Sequence, residues 1–137
     1  MKLSLKVEYA CQVLAALGGH FGRPELPHIE ELAEAECIPS NYLVQILNEL
    51  RTAGLITSRR GKQGGYALAR EPKSITLYDI VCAVESDLLE YSTKGRGRSA
   101  ARTAWCWSEV AKVMEARARS LTVEDLMKPS SDSMWFI

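Results

Sequence analysis

Residues 40–54 carry one apolar stripe at helical spacing, and the segment LITSRRGKQGGYALA, residues 55–69, follows with no loop between. Leu43, Ile46, Leu47 and Leu50 advance by three, one and three, which places them on one side of a helix. Gly54 stands where a left-handed residue would end that helix. Two β-compatible runs, 55–59 and 66–69, then flank a turn holding Gly61, Gly64 and Gly65, so the chain must fold back on itself as a hairpin. Arg59, Arg60 and Lys62 crowd the tip of that hairpin with no acid among them.

The upstream sequence supplies the rest of a helical unit. Val7, Ala10, Cys11, Leu14 and Leu17 form one stripe in residues 3–18, while Glu8 and Gln12 share another face. After the turn GGHFGRPELP, Ile29, Leu32 and Ala33 repeat the helical spacing over a short second helix. CIPS then interrupts: Pro39 disfavours helix at Ile38, and Ser40 is placed to cap the next start. Short helix, tight turn and longer helix make a helix-turn-helix layout, and the attached hairpin makes a wing. The predicted class is mainly α with a small β-hairpin wing (α+β), a winged helix-turn-helix followed by a long helix.

Charge narrows what such a unit could bind. Lysine plus arginine equals aspartate plus glutamate at 17 each, yet residues 58–73 hold five bases against one acid and residues 91–102 four against none. Two positive patches on a neutral body point to aimed anion binding rather than to general coating. On the helix, Asn41, Gln45, Asn48 and Thr52 recur at four, three and four, with Val44 among them. Uncharged amides suit base edges in a major groove, and an apolar side chain suits a thymine methyl. The candidate DNA-contacting residues are Ser40, Asn41, Tyr42, Val44, Gln45 and Asn48 on the helix, with Arg59, Arg60, Lys62 and Gln63 on the hairpin. An ordinary solvated face is the alternative for the helix. A nucleotide-binding loop is excluded, because Gly61-Lys62 is followed by Gln63 rather than Ser or Thr. No paired carboxylates and no nucleophile-base set are visible, and His20 and His28 flank turn sequence, so an enzyme is not predicted.

MKLSLKVEYACQVLAAL, IPSNYLVQILNELRTAGLITSRRGKQGGYALAREPKSITLYDIVCAVE and SLTVEDL resemble the Rrf-two family of bacterial winged helix-turn-helix transcription regulators. That family includes iron–sulfur-sensing, nitric-oxide-sensing and cysteine-metabolism repressors. The resemblance implies a repressor that binds an inverted-repeat operator as a homodimer, with Arg60 as the wing arginine and Gln45 as a polar reader. Family members often have Glu where this chain has Val44, so no operator sequence is carried over. A protein-interaction module that keeps the scaffold but no longer reads DNA is the competing reading.

Residues 1–86 are read as the DNA-binding domain, 87–103 as a flexible basic loop, 104–128 as a helix and a short C-terminal helix, and 129–137 as a tail. Thr76 and Asp79 resemble a capping box ahead of Leu77, Ile80, Val81 and Val84, and TVEDLM is another capped turn. Ala104, Trp107, Ala111, Met114, Ala118 and Leu121 make a stripe on a helix of about sixteen residues. The resemblance makes this the dimerisation helix, with Trp107, Val110, Ala111, Met114, Ala118 and Leu121 at the interface; an intramolecular contact is the alternative. The apolar end MWFI is expected to dock.

Cys11, Cys37, Cys82 and Cys106 lie 26, 45 and 24 residues apart with no C-x-x-C pair, so neither a zinc ribbon nor a disulfide framework is indicated; buried free thiols are the default expectation, with Cys82 placed on the less buried side of its helix. The cluster cysteines that the resemblance implies fall at or near Leu89, Gly95 and Ala101, none a cysteine. Glu8 stands where some members place an acidic ligand, and Cys106 is out of register beside Trp107. One thiol and one carboxylate fall short of four ligands, so no cofactor, no metal site and no iron–sulfur cluster of the usual family type is predicted. Glu8 and Cys106 are the candidate sensor residues. For Cys106 the options are a thiol switch and a buried structural thiol, while Trp105 and Trp107 could line a pocket for a small effector; a protein partner is equally open. No segment approaches the ~18 apolar residues of a membrane span, so a cytoplasmic protein with double-stranded DNA as partner is expected.

Overall fold

In the computed structural model, which describes residues 2–129, helix α1 spans Leu5–Gly18 and starts where the Ser4 hydroxyl accepts a hydrogen bond from the Val7 amide at 3.3 Å. Helix α2, Ile29–Glu36, begins with the Glu31 carboxylate accepting from the His28 amide at 3.2 Å. It stops at Cys37, whose φ of 55° turns the chain left-handed. Helix α3, Ser40–Thr52, then runs to a turn in which Gly54 takes a φ of 79°.

One expectation at the start of α3 is corrected. Ser40 is not the cap but the first helical residue, and its side chain makes no capping bond. Pro39 takes the cap position: its fixed φ of −57° suits the entry, and its carbonyl accepts from the Leu43 amide at 2.9 Å.

Strands β1, Ile56–Arg59, and β2, Gly65–Leu68, pair antiparallel with Ile56 opposite Leu68 and Arg59 opposite Gly65. The hairpin is fixed to the body from both strands. Leu55 and Ile56 enter the core from the first, and the Tyr66 amide of the second donates to the Pro27 carbonyl at 3.0 Å. Helix α4, Leu77–Val84, has the expected reciprocal cap: the Thr76 hydroxyl accepts from the Asp79 amide at 3.1 Å, and the Asp79 carboxylate accepts from the Thr76 amide at 3.0 Å.

Helix α5 spans Ala100–Ser120, 21 residues rather than about sixteen, so residues 100–103 belong to the helix and not to the basic connection. No breaker follows Gly97, and Ala100 and Ala101 are strong helix formers. Helix α6, Val123–Leu126, closes the described chain; its predicted capped start is seen, with the Thr122 amide donating to the Asp125 carboxylate at 2.9 Å. MWFI lies outside the described residues.

These helices meet on one core. Val7, Ala10, Val13, Leu14 and Leu17 of α1 face Leu43, Ile46, Leu47 and Leu50 of α3, with Leu32, Ile80 and Val81 completing the walls. The chain beyond α5 returns to this core: Leu77 donates to the Leu121 carbonyl and Val123 to the Ile75 carbonyl, both at 2.9 Å, and Val123 is fully buried. Lys6 of α1 reaches Glu49 of α3 at 2.7 Å. A partly exposed pair of this kind adds at most about 1 kcal/mol, so the apolar contacts set the α1–α3 packing.

The wing's attachment yields a stability prediction. Gly65 has a φ of 139°, and a Cβ there would stand 2.5 Å from the Pro27 carbonyl oxygen. Gly65→Ala should therefore destabilise the fold by roughly 1–3 kcal/mol, read as a lowered urea midpoint, from backbone strain alone. An unchanged midpoint would mean that the hairpin is not held against the α1–α2 loop.

Candidate nucleic-acid interface

Burial of Leu43, Ile46, Leu47 and Leu50 at 0–1% exposure leaves the other side of α3 in solvent. Ser40, Asn41, Val44, Gln45, Asn48 and Thr52 all stand on this open side, and Val44 is 47% exposed despite being apolar. Tyr42 differs from the rest of the expected helix set. It is half-buried, and its ring meets Tyr9 edge-on with centroids 5.5 Å apart.

The hairpin tip projects beside this face. Arg59, Arg60, Lys62 and Gln63 are exposed, and none of the three cations has an ion-pair partner among the described residues. Arg51 is the residue that sequence reasoning missed. Its guanidinium donates to the Asn48 side-chain oxygen at 3.2 Å and to the Ser58 hydroxyl at 3.5 Å, so it spans from α3 to β1. The signal was present, since position 51 continues the 41, 44, 45, 48 face by three residues. Arg51, Arg59 and Arg60 also border a groove of about 350 Å³ between the amino end of α2 and the wing. Amide donors and acceptors, one exposed valine and a nearby set of unpaired cations thus share one side of the molecule. Such a surface can hold a polyanion and discriminate among hydrogen-bonding edges.

The expected interface residues on α5 differ in burial. Ala111, Met114 and Ala118 are half-buried, on the stripe nearest the chain's own α4. Leu121 lies just past the helix and is tied to α4 through its carbonyl. Arg119 adds a latch, its guanidinium 3.8 Å from the centre of the Tyr78 ring. Trp107 and Val110 are open, at 57% and 46% exposure, and the neighbouring Val113, absent from the expected set, is 69% exposed.

The expectation of buried thiols is corrected for Cys37 and Cys106, while Cys82 does lie on the less buried side of its helix. Cys37, Cys82 and Cys106 are exposed and only Cys11 is partly covered. Cys37 occupies a helix end, while Cys82 and Cys106 lie on the uncovered sides of α4 and α5. Burial, and secondarily the nearby Glu8 carboxylate, push the Cys11 thiol up to about 11. Glu8 itself is exposed on α1, and no group of three His, Cys, Asp or Glu able to hold a metal occurs among the described residues.

Comparison with known proteins places this architecture. A family model, Rrf2, described as an iron-dependent transcriptional regulator, matches residues 3–129. Protein rrf2 of Nitratidesulfovibrio vulgaris is 32% identical over 136 residues, covering 96% of this chain and 90% of that protein. The solved structure of CymR, described as the global cysteine regulator of B. subtilis, superimposes with a TM-score of 0.80 at 29% identity, covering 93% of this chain and 96% of that one. T. potens IscR gives a TM-score of 0.75 at 33% identity, covering 99% and 97%. The chain belongs to the Rrf2 family, and its fold is the winged helix-turn-helix with a two-stranded wing and a long helix.

The iron named in that family description does not fit the donors present. The four thiols sit on four separate elements, three facing solvent, and Glu8 joins no cluster of donors. Iron–sulfur clusters need a convergent, mostly thiolate set, so no regulatory step is routed through one here.

The thiol environments are directly testable. With the Cys11 pKa near 11, thiolate is scarce at pH 8, and alkylation by iodoacetamide should leave Cys11 unmodified while Cys37 and Cys82 react within minutes. Peptide mass spectrometry showing Cys11 labelled as fast as Cys37 would contradict the packing of α1.

Proposed function

We propose that this chain is a transcriptional repressor that occupies, as a homodimer, an operator of two inverted half-sites. That it is a DNA-binding transcription regulator follows from its family, whose characterised members are regulators rather than enzymes. The observation that carries the finer reading is the continuous open surface from Asn41, Val44 and Gln45 across Arg51 to Arg59, Arg60 and Lys62. Val44 and Gln45 lie on the first turns of α3, the end that reads base edges in docked helix-turn-helix units. The wing cations supply charge for phosphate, which sets affinity and salt dependence but not sequence choice. Ser40, Asn48 and Gln63 flank these groups and are proposed to fix register, and Tyr42 acts through its packing against Tyr9.

The second copy is proposed to join along the open stripe of α5, where Trp107, Val110 and Val113 leave large apolar area in water. Two reading heads so joined would meet grooves about one turn, ~34 Å, apart. An interaction module without DNA reading is not favoured, because the unpaired wing cations and amide face are left without a role.

The parts separate by mutation. Arg60→Ala should weaken binding to every duplex and reduce the salt slope by about 1, while Gln45→Ala should relax choice at one base position at ~1–3 kcal/mol. Selection from random duplexes at moderate salt, with both variants, measures this; equal loss on all sequences from both would refute the division of roles. Val110→Glu should yield a folded monomer in sedimentation, with binding to the paired operator lost, because a charge would be buried in the proposed interface.

A further inference from the structure

We propose that the hollow between residues 93–96 and the first turns of α5 binds a small oxyanion of the phosphate class, and that Trp107 carries its occupancy to the open stripe of α5. Binding itself needs only this hollow; the regulatory consequence rests on the dimer reading above. The space is about 450 Å³ and is bordered by Lys94, Arg96, Ser99, Thr103 and Trp107.

Charge is the first argument. Lys94 and Arg96 have no ion-pair partner among the described residues, and neither has the adjacent Arg98. On α5 itself the cations are engaged: Lys112 reaches Glu109 at 2.9 Å, Arg119 reaches Glu115 at 3.6 Å, Arg102 lies 4.2 Å over the Trp105 ring, and Arg117, without an acid, donates to the Ser120 hydroxyl at 3.1 Å. Two cations bordering one hollow repel each other, and a dianion between them removes that repulsion while accepting charge-assisted hydrogen bonds. The local donors agree in kind. Ser99 makes no side-chain capping bond to the helix, whereas the Thr103 hydroxyl is already committed to the Ser99 carbonyl at 2.9 Å. The ligand is therefore held chiefly by Lys94 and Arg96.

The second argument is the wall. Trp107 borders the hollow and is also 57% exposed on the stripe proposed to meet the second copy. An indole shared in this way must adjust on both sides when either is filled. Its flat face also admits an organic substituent on the anion, so inorganic phosphate and a phosphate monoester fit the same chemistry. A DNA backbone phosphate is the third source that the experiment must separate.

The test is calorimetric titration of the full chain with inorganic phosphate at constant ionic strength, with chloride as reference. One saturable site per chain in the millimolar range is expected, weakened at least about tenfold in the Lys94→Ala, Arg96→Ala double variant. The tryptophan fluorescence change on binding should vanish in Trp107→Phe. Absence of saturation, an equal response to chloride, or unchanged binding by the double variant overturns the site. So does a double variant whose duplex affinity and salt slope fall as they do in Arg60→Ala, since the loop would then be part of the DNA contact. Arg60→Ala should bind phosphate normally, which keeps failure of the DNA reading distinct from failure of this one.

Discussion

The packing of α3 against α1 governs everything else in this molecule. Four aliphatic residues of α3 are removed from water, each worth roughly 1.5–3 kcal/mol relative to exposure, and that single constraint fixes the rotation of the helix about its axis. Once the rotation is fixed, Asn41, Val44, Gln45 and Asn48 have no choice but to face outward. The wing inherits its position from the same contact, because Leu55 and Ile56 enter the core only three and four residues after α3 ends. The Pro27 carbonyl then holds the returning strand through Tyr66. Arg51 joins the two parts at their outer edge, so helix and hairpin form one continuous surface rather than two loosely tethered ones.

Most of this was legible in the sequence because it depends on local periodicity and turn chemistry. The α3 stripe, the Gly54 stop, the glycine-rich hairpin and the Thr76–Asp79 cap are each set by residues a few positions apart. The errors share a different cause. Helical spacing tells which residues lie on one side, but not how many neighbouring elements cover that side. Cys106 was therefore expected to be buried and is exposed, and along the α5 stripe Ala111, Met114 and Ala118 are half-buried while Trp107 and Val110 are open. At Ser40 two local rules competed, and the preset φ of Pro39 prevailed over the hydroxyl cap. Arg51 is absent from the sequence-derived set because that set is built on uncharged amides, although its spacing puts it on the amide face.

The division of α5 has a mechanical meaning. Its covered stripe, the Leu121 carbonyl and the Arg119–Tyr78 contact bind the rod to α4, and Val123 returns the chain to the α1 core. The rod is thus not an appendage on a flexible tether but an arm whose direction is set by its packing on the helical core. In the proposed dimer, the open stripe would then translate any change in how two rods cross into a change in the spacing of two reading heads. A shift of a few ångströms matters there, since half-sites are matched to the repeat of the double helix.

This geometry also says where a signal can act without any cluster of iron. In the proposed complex a sensor that worked at α3 would compete with DNA directly, and among the described residues the donors near α1 form no ligand set. The amino end of α5 is different, because it lies next to the open stripe and yet is flanked by Lys94 and Arg96, which no ion pair among the described residues neutralises. A change in electrostatics there alters the one joint on which operator spacing would depend, while leaving the core, the cap of α4 and the wing's attachment intact.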